Sequence, residues 1–353
     1  MNFSEEEQKQ YSRHLILDEI GEEGQLKLKR AKVLVIGAGG LSCPVLQYLA
    51  AAGVGTIGIV DGDHIEQSNL QRQILYSHND LGQFKAEVAA KKLSALNPYI
   101  QVIPHLEMLD KDNALEIFFD YDIVVDGSDN FPTRYLSNDA AVILDKPLVF
   151  GSIFKFDGQV TVFNYQEGPT YRCLYPEAPE PDAVPNCSEI GVLGVLPGII
   201  GALQANEVLK MICEIGEVLS GKLLSLDALS MQQTVLQFAK NEALNITSLY
   251  DNYEAFCGIQ PVSDEITWEE YQDNKTNYEL LDVRSKNERA KKNLGGIHIP
   301  LDQLVAKQRY LPKSNRVIVY CQSGLRSKRA IEILKELGVK KTLLNLKGGV
   351  GLI

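Results

Sequence analysis

The chain has 353 residues, of which 45% are hydrophobic and 23% charged; this is ordinary globular composition and excludes collagen-like, mucin-like and wholly disordered chains. At roughly 150 residues per domain the length predicts about two domains. The net charge of −11 is unevenly held, with 18 Lys and Arg against 35 Asp and Glu in residues 1–260, and 17 against 11 in residues 261–353; so acidic a main body argues against nucleic acid as a ligand, because neutralising phosphates needs a basic surface.

The opening MNFSEEEQKQY lacks the basic start and apolar stretch of a secretory signal. The longest apolar run, GVLGVLPGIIGAL at 191–203, contains Pro197 and is shorter than the roughly 20 residues that cross a bilayer. A cytoplasmic chain without a membrane anchor is expected. Six cysteines, Cys43, Cys173, Cys187, Cys213, Cys257 and Cys321, lack the spacing of a disulfide framework and read as free thiols.

Ser4 followed by Glu5, Glu6 and Glu7 is an N-cap with an acidic first turn, which predicts a helix over 4–18. AKVLVIG from 31 is a short apolar strand, GAGGLSCP a glycine turn, VLQYLAAAGV a helix and TIGIVDGD a second strand. A helix near 84–96, the strand IQVIPHL, a short helix around 112–119 and the strand YDIVVDGSDN continue the alternation. That order predicts an α/β domain with a parallel sheet covered on both faces. PLVFGSIFKFDGQVTVFNY then changes to an added antiparallel portion, and the Pro- and acid-rich residues 166–190 read as a long crossing loop, of a length that is usually functional or disordered. A helix near 197–213 and a hairpin over 221–240 close this domain, predicted to occupy 1–245. A polar linker, 246–262, leads to a small basic α/β domain over 263–353.

The glycine turn, with Gly37, Gly39 and Gly40, lets backbone N–H groups approach a phosphate at a helix N-terminus. Ser42 replaces the last glycine of G-x-G-x-x-G. Asp61 and Asp63 follow the second strand where a ribose hydroxyl is held, which on its own is compatible with NAD. Asn69, Arg72 and Lys85 come next, and a basic pair beside a glycine cradle suits a triphosphate. Asp129, after YDIVVDGSDN, can hold a divalent cation. The plainer alternative is that Arg72 and Lys85 are solvated helix charges and Asp129 an N-cap.

RHLIL at 13–17, GAGGLSCPVLQYLAAAGVGTIGIVDGD, SNLQRQILY, GQFKAEVAAKKLSALNP, DGSDNFPTRY and GVLGVLPGIIGALQANEVLK together resemble the MoeB/ThiF/HesA family of ubiquitin-activating-like adenylyltransferases, from residue 4 to about 235. The resemblance implies a Rossmann-like ATP-binding domain in a homodimer that adenylates the C-terminal Gly-Gly of a ubiquitin-fold sulfur-carrier protein. It implies that Gly39 touches phosphate, that Asp61 holds the ribose with Asp63 beside it, and that Asn69, Arg72 and Lys85 grip the phosphates. Asp129 would bind Mg, and Arg13 would reach the partner subunit's ATP. Relatives carry two C-x-x-C pairs for a structural zinc; here Thr170 and Glu254 stand where two of those cysteines would be, leaving Cys173 and Cys257, so a zinc site is not expected. In relatives with an attached rhodanese domain, a cysteine at the position of Cys187 is a covalent nucleophile, whereas in bacterial ones it is a dispensable loop thiol.

RVIVYCQSGLRSKRA puts Cys321 between an apolar strand and a helix, with Gly324 and Arg326 in the same loop. A nest of N–H groups there holds a thiolate or a persulfide anion. With ELLDVRSKNE and GGIHIPLDQL, the segment from 262 resembles a rhodanese-like sulfurtransferase domain. Related domains continue through an aromatic residue and a final helix, so a clipped domain is expected. The combined expectation is adenylation of the carrier, then sulfur transfer from a Cys321 persulfide supplied by a donor such as a cysteine desulfurase, giving a thiocarboxylate. Molybdopterin synthesis is the nominal destination and thiamine thiazole or another thiolation pathway the alternative; a non-catalytic docking scaffold and an NAD-dependent oxidoreductase are the rival classes.

Overall fold

The computed structural model describes residues 3–179, 191–258 and 265–353. The chain divides into two compact units, residues 1–259 and 260–353. In the first, eight strands form one sheet: β1 (Lys32–Ile36), β2 (Thr56–Val60), β3 (Gln101–His105), β4 (Ile123–Asp126), β5 (Leu148–Phe154), β6 (Asp157–Phe163), β7 (Lys222–Asp227) and β8 (Gln232–Gln237). Their order is β3-β2-β1-β4-β5-β6-β7-β8. The pairs from β3 to β5 are parallel and those from β5 to β8 antiparallel, so the expected α/β domain with an antiparallel extension is what the chain forms.

Successive residues of a strand face opposite ways, and β1 uses this to serve two cores. Val33 and Val35 join Leu46, Leu49, Ile57 and Val208 on one side. Leu34 and Ile36 join Phe118, Val124, Tyr135 and Phe150 on the other. The sheet order reverses between β1 and β4, which opens a crevice beyond the carboxyl ends of these two strands.

The expected helix over 4–18 is two short ones, Glu5–Gln10 and Ser12–Leu15, broken at the buried Tyr11. Ser4 does cap the first, accepting from the Glu7 N–H at 3.2 Å. A further helix, Phe131–Ile143, fills the gap between β4 and β5; Asn130 caps it by accepting from the Thr133 N–H, and Pro132 lies in its first turn.

The second unit is a five-stranded sheet of β9 (Glu265–Ile266), β10 (Glu279–Asp282), β11 (Ile297–His298), β12 (Arg316–Tyr320) and β13 (Thr342–Leu346), in the order β11-β10-β12-β13-β9 with every pair parallel. β12 runs into the loop 321–324 and then the helix Leu325–Glu336. Residues 349–352 form a 3-10 turn beneath that loop, Val350 donating to the Cys321 carbonyl and Gly351 to that of Gln322, both at 2.9 Å.

Candidate nucleotide cavity and sulfur-transfer loop

The crevice at the ends of β1 and β4 widens into a cavity of about 580 Å³. Its floor is the turn between β1 and the helix Ser42–Ala52, from which Gly37, Gly39, Gly40 and Leu41 line the cavity. Gly37 takes φ +80°, and a Cβ there would lie 3.3 Å from the Gly127 carbonyl oxygen. At Gly40 a Cβ would meet Pro197 at 3.2 Å, so the glycines keep the backbone open to a ligand.

The acidic pair is divided between two tasks. Asp61 is buried and accepts from the Ala38 N–H (2.7 Å) and the Asp63 N–H (2.8 Å), bracing the glycine turn against the end of β2. Burial raises its pKa while the neighbouring Lys85 opposes the shift. Asp63 instead pairs with the buried Lys85 at 2.8 Å and holds that ammonium at the cavity wall. Arg72 lines the same wall and donates to the Ser68 carbonyl at 3.3 Å.

On the opposite wall, the Asp126 carboxylate accepts from the Ser128 N–H at 2.8 Å, turning the chain at the end of β4 so that the exposed Asp129 lines the cavity. Arg134, one turn into the following helix, reaches the wall between the rings of Phe131 and Phe150, at 5.6 and 5.3 Å. Buried polar atoms normally find partners, yet Gln73 Oε1 and Ser128 Oγ, both from cavity-lining residues, have none among the described residues. A cavity with unpaired polar atoms, three cationic side chains and a glycine floor fits a polyanionic nucleotide. Among the described residues no three His, Cys, Asp or Glu side chains form a metal cluster; a magnesium ion held by one carboxylate and substrate phosphates needs none.

In the second unit, Cys321 is fully buried and its sulfur accepts from the Gly324 N–H (3.1 Å) and the Ser327 hydroxyl (3.3 Å). Burial pulls the thiol pKa up, but the Ser327 hydroxyl and the N–H groups of Ser327, Ser323 and Gly324 together hold it below its ordinary value. Gly324 takes φ +88°, which closes the loop around the sulfur. Arg326 turns to Glu288, with bonds of 2.9 and 2.5 Å. Asp282 and Arg284 form a buried two-pronged pair at 2.9 and 2.8 Å that ties the end of β10 together.

Residues 11–246 match the ThiF family and residues 267–351 the rhodanese-like domain. The chain belongs to the ThiF family. It is 52% identical over 272 residues to a sulfur carrier protein adenylyltransferase of Thermus thermophilus, covering 74% of this chain and all of that one. It is 43% identical to the probable adenylyltransferase/sulfurtransferase MoeZ of Mycobacterium tuberculosis, covering 98% of this chain and 93% of that one. The adenylyltransferase and sulfurtransferase MOCS3 of Xenopus laevis is 41% identical, over 96% of this chain and 84% of its own. Among solved structures, Escherichia coli MccB with MccA-N7isoASN superimposes with a TM-score of 0.60 at 24% identity, over 70% of this chain and 75% of that one, a likeness of fold.

Not every residue expected from the ThiF resemblance meets at the cavity. Asn69 is not among its lining residues; its side chain instead accepts from the Glu66 N–H at 3.1 Å. Arg13 is exposed on the helix Ser12–Leu15 and is also absent from the cavity of its own chain. Cys187 lies outside the described residues. Ser42 does not crowd the helix off the strand, because Gly127 leaves room for its hydroxyl: a Cβ at Gly127 would sit 2.0 Å from Ser42 Oγ. Gln73, Ser128 and Arg134 are lining residues that the sequence reading missed.

The remnants of the two C-x-x-C pairs have other partners. Cys173 accepts from the N–H groups of Thr170 and Asn241, each at 3.3 Å. Cys257 is buried, which pushes its thiol up to about 11. Between these segments Arg172 grips Asp139 and lies over three aromatic rings, those of Tyr135, Tyr250 and Phe256.

Proposed function

We propose that this enzyme adenylates the C-terminal Gly-Gly of a ubiquitin-fold sulfur-carrier protein with ATP and then passes sulfur from a Cys321 persulfide to give a thiocarboxylate. The observation that carries the reading is the cavity that joins the glycine turn, Arg72, Lys85 and Asp129 around unpaired buried polar atoms, in a chain that also holds a depressed-pKa cysteine in a loop of donors. The names of the relatives, adenylyltransferase and sulfurtransferase, agree with it.

In this mechanism the triphosphate lies on the turn of Gly37, Gly39 and Gly40, with Asp61 toward the ribose. The carrier's terminal carboxylate is ionised at neutral pH and needs no base. It attacks the α-phosphorus, pyrophosphate leaves and an acyl-adenylate remains. Arg72 and Lys85 neutralise the charge that builds on the phosphates, and Asp63 keeps Lys85 pointed at them. Asn69 supports the segment that carries Arg72. Asp129 would hold a magnesium ion, which supplies charge neutralisation to the phosphate oxygens. Arg13 serves the second copy's ATP in a homodimer, which accounts for its exposure. In the second reaction the Cys321 persulfide, charged by a donor such as a cysteine desulfurase, attacks the acyl carbon, AMP departs and an acyl disulfide remains; a second thiolate then attacks the Cys321 sulfur, forming a disulfide with it, and the thiocarboxylate leaves.

Cys187 as a covalent relay, molybdopterin synthesis as the destination and a cytoplasmic setting belong to the same proposal. No helix among the described residues is long and apolar enough to cross a membrane. The test is ATP–pyrophosphate exchange with Mg, with and without a purified Gly-Gly-ended carrier from the same organism. Exchange that requires the carrier is expected. Its absence with every such carrier would favour a docking scaffold, and displacement of ATP by NAD would favour an oxidoreductase.

A further inference from the structure

Arg326, expected in the Cys321 loop, lies in the first turn of the helix that follows it, which opens with the basic sequence LRSKR; yet little of that charge is free. Arg326 donates both terminal nitrogens to Glu288, Lys328 pairs with Glu265 at 2.9 Å and Arg329 with Glu332 at 2.7 Å. Arg284 and Arg289, nearby on the segment after β10, both go to Asp282. Glu288 is itself fixed, its carboxylate accepting from the Ser285 N–H (3.0 Å) and hydroxyl (2.8 Å) at the start of the helix Lys286–Lys291. The Arg326 guanidinium and these Ser285 donors hold the Glu288 carboxyl well below the usual carboxylate range, so it is charged throughout the neutral region.

We propose that Glu288 is a positioning residue that selects the sulfur donor: by holding and neutralising Arg326, it makes the Cys321 loop accept a persulfide in preference to the thiosulfate dianion. This rests on the reading of Cys321 as the sulfur-carrying thiol. The N–H and hydroxyl donors around the sulfur suffice for one negative charge, that of the thiolate or of the persulfide formed on it. With a persulfide donor R–S–SH, the Cys321 thiolate attacks the terminal sulfur, the donor's S–S bond breaks and R–S⁻ leaves, giving Cys321–S–SH. With thiosulfate the same attack breaks the same kind of bond, but the leaving group is sulfite and two negative charges must be carried into the loop. In both, a neutral sulfur atom moves from one anion to another and no outside oxidant is needed. The second charge is what a free Arg326 would meet, and Glu288 already occupies it.

The test is thiocyanate formation from cyanide by the full chain, with thiosulfate and with glutathione persulfide as alternative donors. Glu288→Gln keeps the Ser285 cap, because glutamine accepts the same N–H bond, and releases the guanidinium. Its KM for thiosulfate should fall about fivefold, as expected for removing one partly exposed charge pair, and its thiosulfate-to-persulfide ratio of kcat/KM should rise by a similar factor. Arg326→Met should move that ratio the other way, since it leaves the Glu288 charge uncompensated, and the double variant should lose the gain. A ratio unchanged in both single variants, or a proportional loss with both donors in Glu288→Gln, overturns the proposal. If the wild type forms thiocyanate with neither donor, the reading of Cys321 fails first and this inference with it; activity that is present and abolished by Cys321→Ser separates the two.

Discussion

Arg172 and Asp139 meet in a buried two-pronged ion pair, Nε to Oδ1 and Nη2 to Oδ2, both at 2.7 Å. The Tyr253 hydroxyl donates to the same carboxylate at 2.8 Å, and the guanidinium lies 4.6 Å from the Phe256 ring centre. This cluster fastens the segment after β8 to the helix Phe131–Ile143, beside Cys173 and Cys257. Removing one partner of a buried pair leaves the other uncompensated. Arg172→Met should therefore destabilise the first unit by about 3–5 kcal/mol, read as a lower denaturation midpoint. Tyr253→Phe, which removes one of the bonds to Asp139, should cost about 1 kcal/mol. Stability lost on chelation in the wild type, with little change in Arg172→Met, would reverse the assignment.

Ser42 and Gly127 form a matched pair, since a side chain at one needs its absence at the other. Gly127→Ala puts a methyl 2.0 Å from Ser42 Oγ and 3.0 Å from the Ile36 carbonyl, at the hinge of the nucleotide cavity. Overpacking of this kind costs about 1–3 kcal/mol. Adding Ser42→Gly should recover most of that loss, whereas the two changes would be additive if they did not touch. Denaturant midpoints of the two single variants and the double variant measure the coupling directly.

The parts of the site that glycine and aspartate punctuate were legible in the sequence, because those residues mark turns at strand ends whatever binds there. β1, its glycine turn, β2 and the DGSDN turn after β4 form where the periodicity put them. The helix Phe131–Ile143 was missed although Asn130 and Pro132 announce its start. The helix Gly21–Arg30 was hidden by two glycines, at 21 and 24, which favour helix poorly. β7 and β8 pair as the hairpin expected over 221–240, although all six residues of β8 are exposed. Gln73, Ser128 and Arg134 are a different case. Each has a buried polar atom without a partner among the described residues, and no pattern in the neighbouring sequence encodes that.

Asp126 and Asp129 do separate work three residues apart. The first is buried and shapes the turn by accepting from Ser128; the second is exposed to the cavity. Asp129→Asn should lower carrier-dependent ATP–pyrophosphate exchange about a hundredfold or more, the scale of losing one transition-state charge contact, with the melting temperature little changed. Asp126→Ala should lower both, because it releases the turn. Exchange that survives Asp129→Asn at wild-type Mg dependence would remove Asp129 from the metal's ligands.

Cys321 and Ser327 make the last relationship measurable as a pH profile. The kcat/KM for sulfur uptake reports ionisation of the free enzyme's thiol, so the rate should be flat above the Cys321 pKa and fall as pH drops through it. That limb should lie below the ordinary thiol value, since burial is outweighed by the Ser327 hydroxyl and the loop N–H groups. Ser327→Ala removes the hydroxyl and should move the limb to higher pH. The same depression acts on folding: a thiol with a lowered folded pKa adds stability that is fully present above its unfolded pKa and is lost as pH falls through the folded one. The stability of wild type relative to Cys321→Ser should therefore grow between those two values and level off above about 8.5. A limb unmoved by Ser327→Ala would mean that the backbone nest alone sets the thiolate.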